Sequence, residues 1–283
     1  MKDLGKVFKE LRESRKISLR KATGGGFSAS LLSRFENGKS EISAQKLFVA
    51  LENIHANVEE LLFLARGFHH DANSEFRNQL FKAVDPQDLT SLRTLYQREY
   101  QQLPFSKDRQ QHILNAILIK SYMKAIDETV TLTSEEERVL HDYLFSVEIW
   151  GHYELLFFSS CSPLLSVQLL TKYTREMLRK SDFLQGVGKN LNIMHTLLLN
   201  AFMSCIEVDD LTNALYFKKQ IEKNFFEENE TYFRIVYLWA EGLLDSKQGR
   251  AEEGQRKMED AVRIFEIIGC SKSADYYRNV IKR

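Results

Sequence analysis

The chain of 283 residues holds only 3 Pro and 13 Gly. Both residues punctuate turns, so this low usage excludes a strand-rich fold with many tight turns, a collagen-like chain and Pro-rich linkers. Cysteine is scarce as well: Cys161, Cys205 and Cys270 are odd in number, lie far apart and form no CxxC. That argues against a disulfide scaffold and a zinc ribbon, and it fits reduced thiols. An excess of one charge is missing, because 39 Lys+Arg face 39 Asp+Glu. A uniformly basic nucleic-acid coat and a wholly acidic disordered chain are thereby excluded. No apolar run is long enough to cross a bilayer, and IMHTLLLNAFMSCI is short and carries His195 and Asn200. The first ten residues, MKDLGKVFKE, are charged, so no secretory signal is expected and the expected compartment is the cytoplasm. Catalytic signatures are lacking too: there is no P-loop, GxSxG, HExxH or GxGxxG opening a helix. We therefore expect no enzyme, no cofactor and no metal site. His69-His70 has no third ligand at useful spacing, and Cys161 in its apolar run reads as a small buried hydrophobe. Glu135–Glu137 after Thr133 and Ser134 reads as a capped first helical turn.

What is present is material for a core, with 43% hydrophobic and 11% aromatic residues. The zero net charge also conceals an asymmetry: residues 1–50 carry a net +6 and residues 51–283 a net −6. A basic head on an acidic body suits a polyanion-binding domain joined to a regulatory one. Solvated helix faces are the plainer reading of the same numbers.

Periodicity fills in the head. Leu4, Val7, Phe8 and Leu11 form one apolar helix face, with Lys6, Lys9, Arg12 and Arg15 on the other. Ser18 is a good N-cap for a second short helix, which Gly24, Gly25 and Gly26 end. Ser28 caps SASLLSRFEN, which Gly38 stops, and Ser43 caps a helix striped by Leu47, Ala50, Leu51 and Ile54. Val58, Leu61 and Leu62 continue into a fifth helix. Five short helices with a glycine turn between the second and third are the helix-turn-helix plan.

FSASLLSRFENGKSEIS resembles the third helix and following loop of the Cro/C1-type (XRE) DNA-binding domain, through Ser28, Ser30, Leu32, Ser33, Arg34, Phe35, Glu36 and Gly38. LGKVFKELRESR resembles that domain's first helix. One departure is plain: the family's second helix usually ends in Leu-Ala, where this chain has Ala22-Thr23 and three glycines, so a shorter helix and a looser turn are expected. The resemblance implies that Glu36 pairs with a first-helix arginine, here Arg12, while Leu32 and Phe35 are core. Ser28, Ala29, Ser30, Leu31, Ser33 and Arg34 are then the outward residues of the recognition helix. Arg34 suits a guanine edge or a phosphate, and Ser28 and Ser30 suit phosphate. Arg15, Lys16, Arg20, Lys21 and Lys39 are further phosphate candidates.

RGFHHDANSE is polar and reads as a linker over 66–75, dividing a 1–65 head from a 76–283 body. Helical periodicity runs from Phe76 onward, broken at Asp85-Pro86, Pro104, Cys161–Pro163, Gly186–Gly188 and Gly249. Successive helices of similar length predict stacked hairpins, a degenerate TPR-like superhelix in an all-α protein. The clearest repeat is YLWAEGLLDSKQGRAEEGQRKMEDAVRIFEIIG, with Gly242, Gly249, Gly254 and Ala261 at small positions and Leu238 and Met258 near large ones.

SEEERVLHDYLFSVEIWGHYELLFFSSCS, LLLNAF at Leu197–Phe202 and LDSKQG…DAVRIFEIIG resemble the regulatory domain of the Rgg/GadR/MutR family, head and body in the right order. The resemblance implies a homodimeric transcription regulator of promoter DNA that answers a short hydrophobic peptide pheromone, with RNA polymerase as a further candidate partner and no membrane. It places Asn200, at the LxxN position, as a central peptide contact. Tyr153, Phe157, Ser160, Asn192, Arg234, Tyr237 and Trp239 are neighbouring candidates. In the similar pheromone-binding branch a basic residue follows the Cys-Ser pair, whereas here Pro163 follows Cys161-Ser162. A less acidic, mainly apolar ligand is therefore expected, or none. The competing readings are an XRE-type repressor whose body only dimerises and an enzyme with a DNA-binding head. Phe265, Ile268, Tyr276, Tyr277 and Ile281 are the candidate dimer contacts, with the core of the last repeat as their alternative role.

Overall fold

Each described segment follows the capping and stripe signals in its own sequence. The structure is a computed structural model that describes residues 3–67, 76, 78–80, 82, 88–181, 188–223 and 225–281, and among them there is no strand. The chain divides into two compact units, Met1–Pro86 and Gln87–Arg283. His69-His70 lies outside the described residues.

In the first unit five helices form: α1 (Leu4–Ser14), α2 (Leu19–Thr23), α3 (Ala29–Glu36), α4 (Ala44–Asn53) and α5 (Val58–Ala65). Ser18, Ser28 and Ser43 each accept a backbone N–H three residues on, satisfying one of the free donors at a helix start. Asn57 and Glu60 close a capping box at α5. α2 has five residues and stops at Gly24 and Gly25, with φ of 56° and 80°, the left-handed region that glycine enters without strain. Val7, Phe8, Leu32, Leu51, Ile54 and Leu61 fill the core between these helices. Arg12 departs from the outer basic face drawn for α1. It is 7% exposed and makes a two-pronged ion pair with Glu36, at 2.6 and 2.7 Å, while Nη1 donates to Ile17 O at 2.8 Å. The buried carboxylate demands a fork-shaped donor, and Arg12 is the α1 cation placed to supply it.

The second unit contains α6 (Leu89–Gln102), α7 (Arg109–Lys124), α8 (Ser134–Ser146), α9 (His152–Cys161), a 3-10 turn (Ser162–Leu164), α10 (Val167–Ser181), α11 (Gly188–Glu207), α12 (Leu211–Lys223), α13 (Thr231–Lys247), α14 (Ala251–Ile267) and α15 (Ser271–Ile281). One row runs α7, α9, α11, α13, each helix touching the next, and α8, α10, α12 and α14 pack against that row. α11 touches α9, α10, α12 and α13, so it is surrounded.

Buried polar pairs fix the hairpins in register. Glu136, fully buried at the α8 cap, accepts from Lys120 Nζ (2.6 Å), Tyr96 Oη (3.0 Å), Tyr100 Oη (3.1 Å) and Thr133 N (2.7 Å). The predicted capped turn is present, and the same glutamate also ties α6, α7 and α8 together. Burial alone would raise its pKa, but the Lys120 and Thr133 bonds hold the carboxyl below its ordinary value. Lys180 donates to the carbonyls of Leu144, Phe145 and Val147, closing the end of α8 against α10.

The last hairpin rests on glycine. A Cβ on Gly242 would lie 2.5 Å from Gly254 O and 2.9 Å from Met258 Cγ, so α13 and α14 meet backbone to backbone. Gly249 has a different role from the packing one expected of it: it turns the chain at φ 86° with open space where a Cβ would be. Gly254→Ala should therefore lower body stability by about 1–3 kcal/mol through overpacking. The reading is the urea midpoint of the cooperative transition, and an unchanged midpoint would mean that the two helices are not in backbone contact.

Candidate functional site

Two regions gather residues able to bind. In the first unit the outer side of α3 exposes Ser30 and Arg34, with Ala29, Leu31 and Ser33 half-buried. Ser28 is exposed, but its Oγ accepts the Leu31 N–H at 3.2 Å, so its hydroxyl proton is what remains to donate. Arg34 is exposed and meets no acid among the described residues. Lys16, Arg20, Lys21 and Lys39 are exposed, and Lys16 takes a positive φ of 56° at the end of α1. Arg15 is committed in part: it donates to Leu11 O at 3.1 Å and lies 3.6 Å from Glu60.

In the second unit the candidates separate. Asn200 on α11 and Trp239 on α13 line one cavity of 230 Å³, and Ser162, Met203, Tyr276 and Tyr277 also line it. The Asn200 amide is half-buried and makes no hydrogen bond among the described residues. Trp239 is 1% exposed, and its Nε1–H is buried without a partner. Trp150 makes the contrast, since its equally buried Nε1–H reaches Leu144 O at 3.0 Å. The buried Trp239 Nε1–H departs from the ordinary pairing of buried donors, and the half-buried Asn200 amide beside it makes no protein hydrogen bond among the described residues. A backbone carbonyl could accept from the indole, and the amide could both donate to and accept from a bound chain.

The remaining candidates sit elsewhere. Tyr153 shares hydrogen bonds with Gln111, and its ring stacks on Phe157. Phe157 itself is 1% exposed, with Tyr143 edge-on to it, and does not line the Asn200 cavity. Ser160 donates to Leu156 O at 2.8 Å. Tyr237 is 5% exposed, its hydroxyl held by Lys218 and Glu222. Arg234 lies over the Phe225 ring, 5.2 Å from its centre. Asn192 is exposed on the first half of α11.

Sequence reading missed Met203, Ser204 and Glu207, although they follow Asn200 at helical spacing and line the same wall. It also missed that α15 supplies Tyr276, Tyr277 and Val280 to the cavity. Among the dimer candidates, Phe265 and Tyr277 are core, their rings stacked 5.6 Å apart, and Tyr276 and Ile268 are 62% and 53% exposed. The neighbouring Ile267 is 74% exposed. The side chain of Ile281 lies outside the described residues. No helix among the described residues is long and apolar enough to cross a membrane.

The model of one family, the C-terminal domain of the HTH-type transcriptional regulator Rgg, matches residues 94–279. The chain is similar over nearly its whole length to solved structures. One is the Streptococcus dysgalactiae SHP pheromone receptor Rgg2, at TM-score 0.84 and 25% identity over 99% of this chain and 98% of that one. A second is a candidate transcriptional regulator from Listeria monocytogenes EGD-e, at TM-score 0.79 and 19% identity over 99% and 96%. A third is PrgX in complex with cCF10, at TM-score 0.71 and 16% identity over 99% and 98%. The last two are alike in fold.

Proposed function

This chain belongs to the Rgg family of HTH-type transcriptional regulators, and from that premise we propose that it binds promoter DNA through residues 1–65 as a homodimer and takes a short, mainly apolar peptide between Asn200 and Trp239. It works in the cytoplasm on this reading, and it regulates rather than catalyses.

The observation that carries the peptide is the cavity that joins the buried, unpartnered Trp239 Nε1–H to the half-buried Asn200 amide, which makes no hydrogen bond among the described residues. An extended peptide brings backbone N–H and C=O groups that cost about 1–3 kcal/mol each if buried unpaired. The amide of Asn200 both donates and accepts, and the Trp239 indole donates, so a peptide backbone and these two side chains answer each other's need. Pro163 and Met203 on the wall carry no charge, while Glu207 is acidic, so the cavity disfavours an acidic peptide. The Rgg2 relative is named as a pheromone receptor and PrgX was solved with cCF10, which agrees with this reading. A purely dimerising body, the runner-up, gives no reason for a buried, unpartnered indole N–H beside a cavity.

For DNA, the N-terminal turn of α3 and the free Arg34 face outward with the exposed lysines and Arg20, while Arg15 contributes less because Glu60 competes for it. Phosphate contacts position the head, and Arg34 is the side chain suited to a base edge. A recognition helix of 8 residues reads few bases, so two heads joined in a dimer would address half-sites about 34 Å apart or a multiple. Ile267, Ile268 and Tyr276 are the exposed apolar residues proposed for that interface.

Three outcomes follow. Arg34→Ala should weaken operator binding in a gel shift by about 1–3 kcal/mol, and the wild-type affinity should fall steeply with salt, about 0.9 log units per log unit for each phosphate neutralised. Operator binding equal to wild type would remove Arg34 from the interface. Light scattering at micromolar concentration should report a dimer, and Ile268→Asp with Tyr276→Asp should shift it toward monomer; a monomeric wild type would refute the assembly. Asn200→Ala should abolish the response to peptide in a reporter assay with the circular dichroism spectrum unchanged, and a retained response would exclude Asn200 from the site.

A further inference from the structure

A second cavity lies between α10, α11 and α12, with a volume of 520 Å³. It is separate from the Asn200 cavity. On α11 it uses Leu191, Met194, His195 and Leu198, whereas the other uses Asn200, Met203, Ser204 and Glu207. At 3.6 residues per turn these two sets occupy opposite faces of one helix.

Its chemistry is also different. The wall is apolar, with Leu198, Ile221 and Phe226 joining Met194. The rim is cationic: among the described residues Arg175, Arg179 and Lys223 line it with one acid, Glu176. Arg175 is held in place, its guanidinium 3.6 Å over the Tyr216 ring and donating to Asn213 at 2.7 Å. Arg179 shares its charge with Glu176 at 2.7 Å, and Lys223 has no partner among the described residues.

His195 is the unexplained group. It is 5% exposed and wedged edge-on between the rings of Phe226 and Phe233. Its Nδ1 lies 3.1 Å from Glu230 Oε1, so that nitrogen already faces a carboxylate. No hydrogen bond among the described residues reaches its Nε2. Burial lowers its pKa more than Glu230 raises it, which favours a neutral ring that still needs a polar partner. With Nδ1 turned to Glu230, Nε2 is the ring nitrogen left to meet a ligand at the cavity wall.

We propose that this cavity is a second binding site, for a small amphipathic carboxylate whose apolar body lies against Met194, Leu198 and Phe226 and whose head meets the Arg179 and Lys223 cations, with His195 supplying the buried polar contact. Phosphate or sulfate alone lacks the body to fill it, and a neutral apolar molecule leaves the rim charges and the imidazole unanswered. The site does not depend on the peptide reading, because it shares no residue with the Asn200 cavity.

Calorimetric titration of the full-length protein with decanoate, decanol and decyltrimethylammonium tests it. Decanoate should bind once per chain, with the alcohol and the cation about tenfold weaker or undetected, as loss of a charge-assisted contact implies. The double variant Arg179→Gln, Lys223→Gln changes only exposed side chains and should weaken decanoate about tenfold, whereas Asn200→Ala should leave it unchanged. His195→Gln, which keeps a polar group, should bind more weakly than wild type at an unchanged melting temperature; if it melts early, the double variant decides alone. The proposal fails if decanoate does not bind, if decanol binds as well as decanoate, if the double variant binds decanoate like wild type, or if Asn200→Ala abolishes binding and so assigns it to the other cavity.

Discussion

Every polar group that a stack of helices buries must be paired inside the protein or left for something that arrives. In this molecule the paired groups build the frame. Arg12 and Glu36 lock α1 to α3 in the head, Glu136 draws Lys120, Tyr96 and Tyr100 onto the start of α8, and Lys180 gathers three carbonyls where α8 ends. Each pair is costly to break, because removing one partner strands a buried charge. The buried side-chain polar atoms without a hydrogen bond are few: among the described residues they are Ser40 Oγ, His195 Nδ1 and the Trp239 Nε1–H, and each of these residues lines a cavity. Frame and function obey the same rule, satisfied in one case and unsatisfied in the other.

The elements were legible in the sequence because their signals are local. Ser18, Ser28, Ser43 and Thr133 cap helices within three residues of where they stand, and Gly38 stops α3 through a positive φ that few other residues tolerate. The Arg12–Glu36 pair was legible through family likeness alone, since the two residues lie 24 positions apart. Gly242 and Gly254 could be read as close-packing positions because only a missing side chain lets backbones touch. Gly249 stands at a break in the periodicity and at a small position of the repeat, and its φ of 86° makes it the turn that the break marks.

The cavities were less legible, because they depend on which helices become neighbours. Asn200 stood out as an amide within an apolar run, a local signal, and Trp239 has no comparable mark in its own stretch. Tyr237 and Phe157 are the same kind of residue as Trp239 in sequence, and all three are buried; only the cavity beside Trp239 separates them. α15 contributes Tyr276 to the wall from 76 positions beyond Asn200, a distance that no pattern search bridges. His195 read as one polar residue that disqualified a membrane span, and its burial appears once Phe226 and Phe233 close around it.

The charge asymmetry gains its meaning from this division of labour. A net +6 over residues 1–50 concentrates attraction for phosphate in the head, whereas the body over 76–283 is close to neutral, with 27 Lys+Arg against 29 Asp+Glu. A regulator needs this contrast. If the body were basic, DNA would compete for its surface and non-specific binding would grow with every added cation. A body without net positive charge adds no such competition, which leaves the phosphate contacts to the face that carries the recognition helix. The cations the body exposes around the second cavity, Arg175, Arg179 and Lys223, are three local charges set against that near-neutral background. Their attraction falls off within about a Debye length, so it favours an anion small enough to enter between the helices.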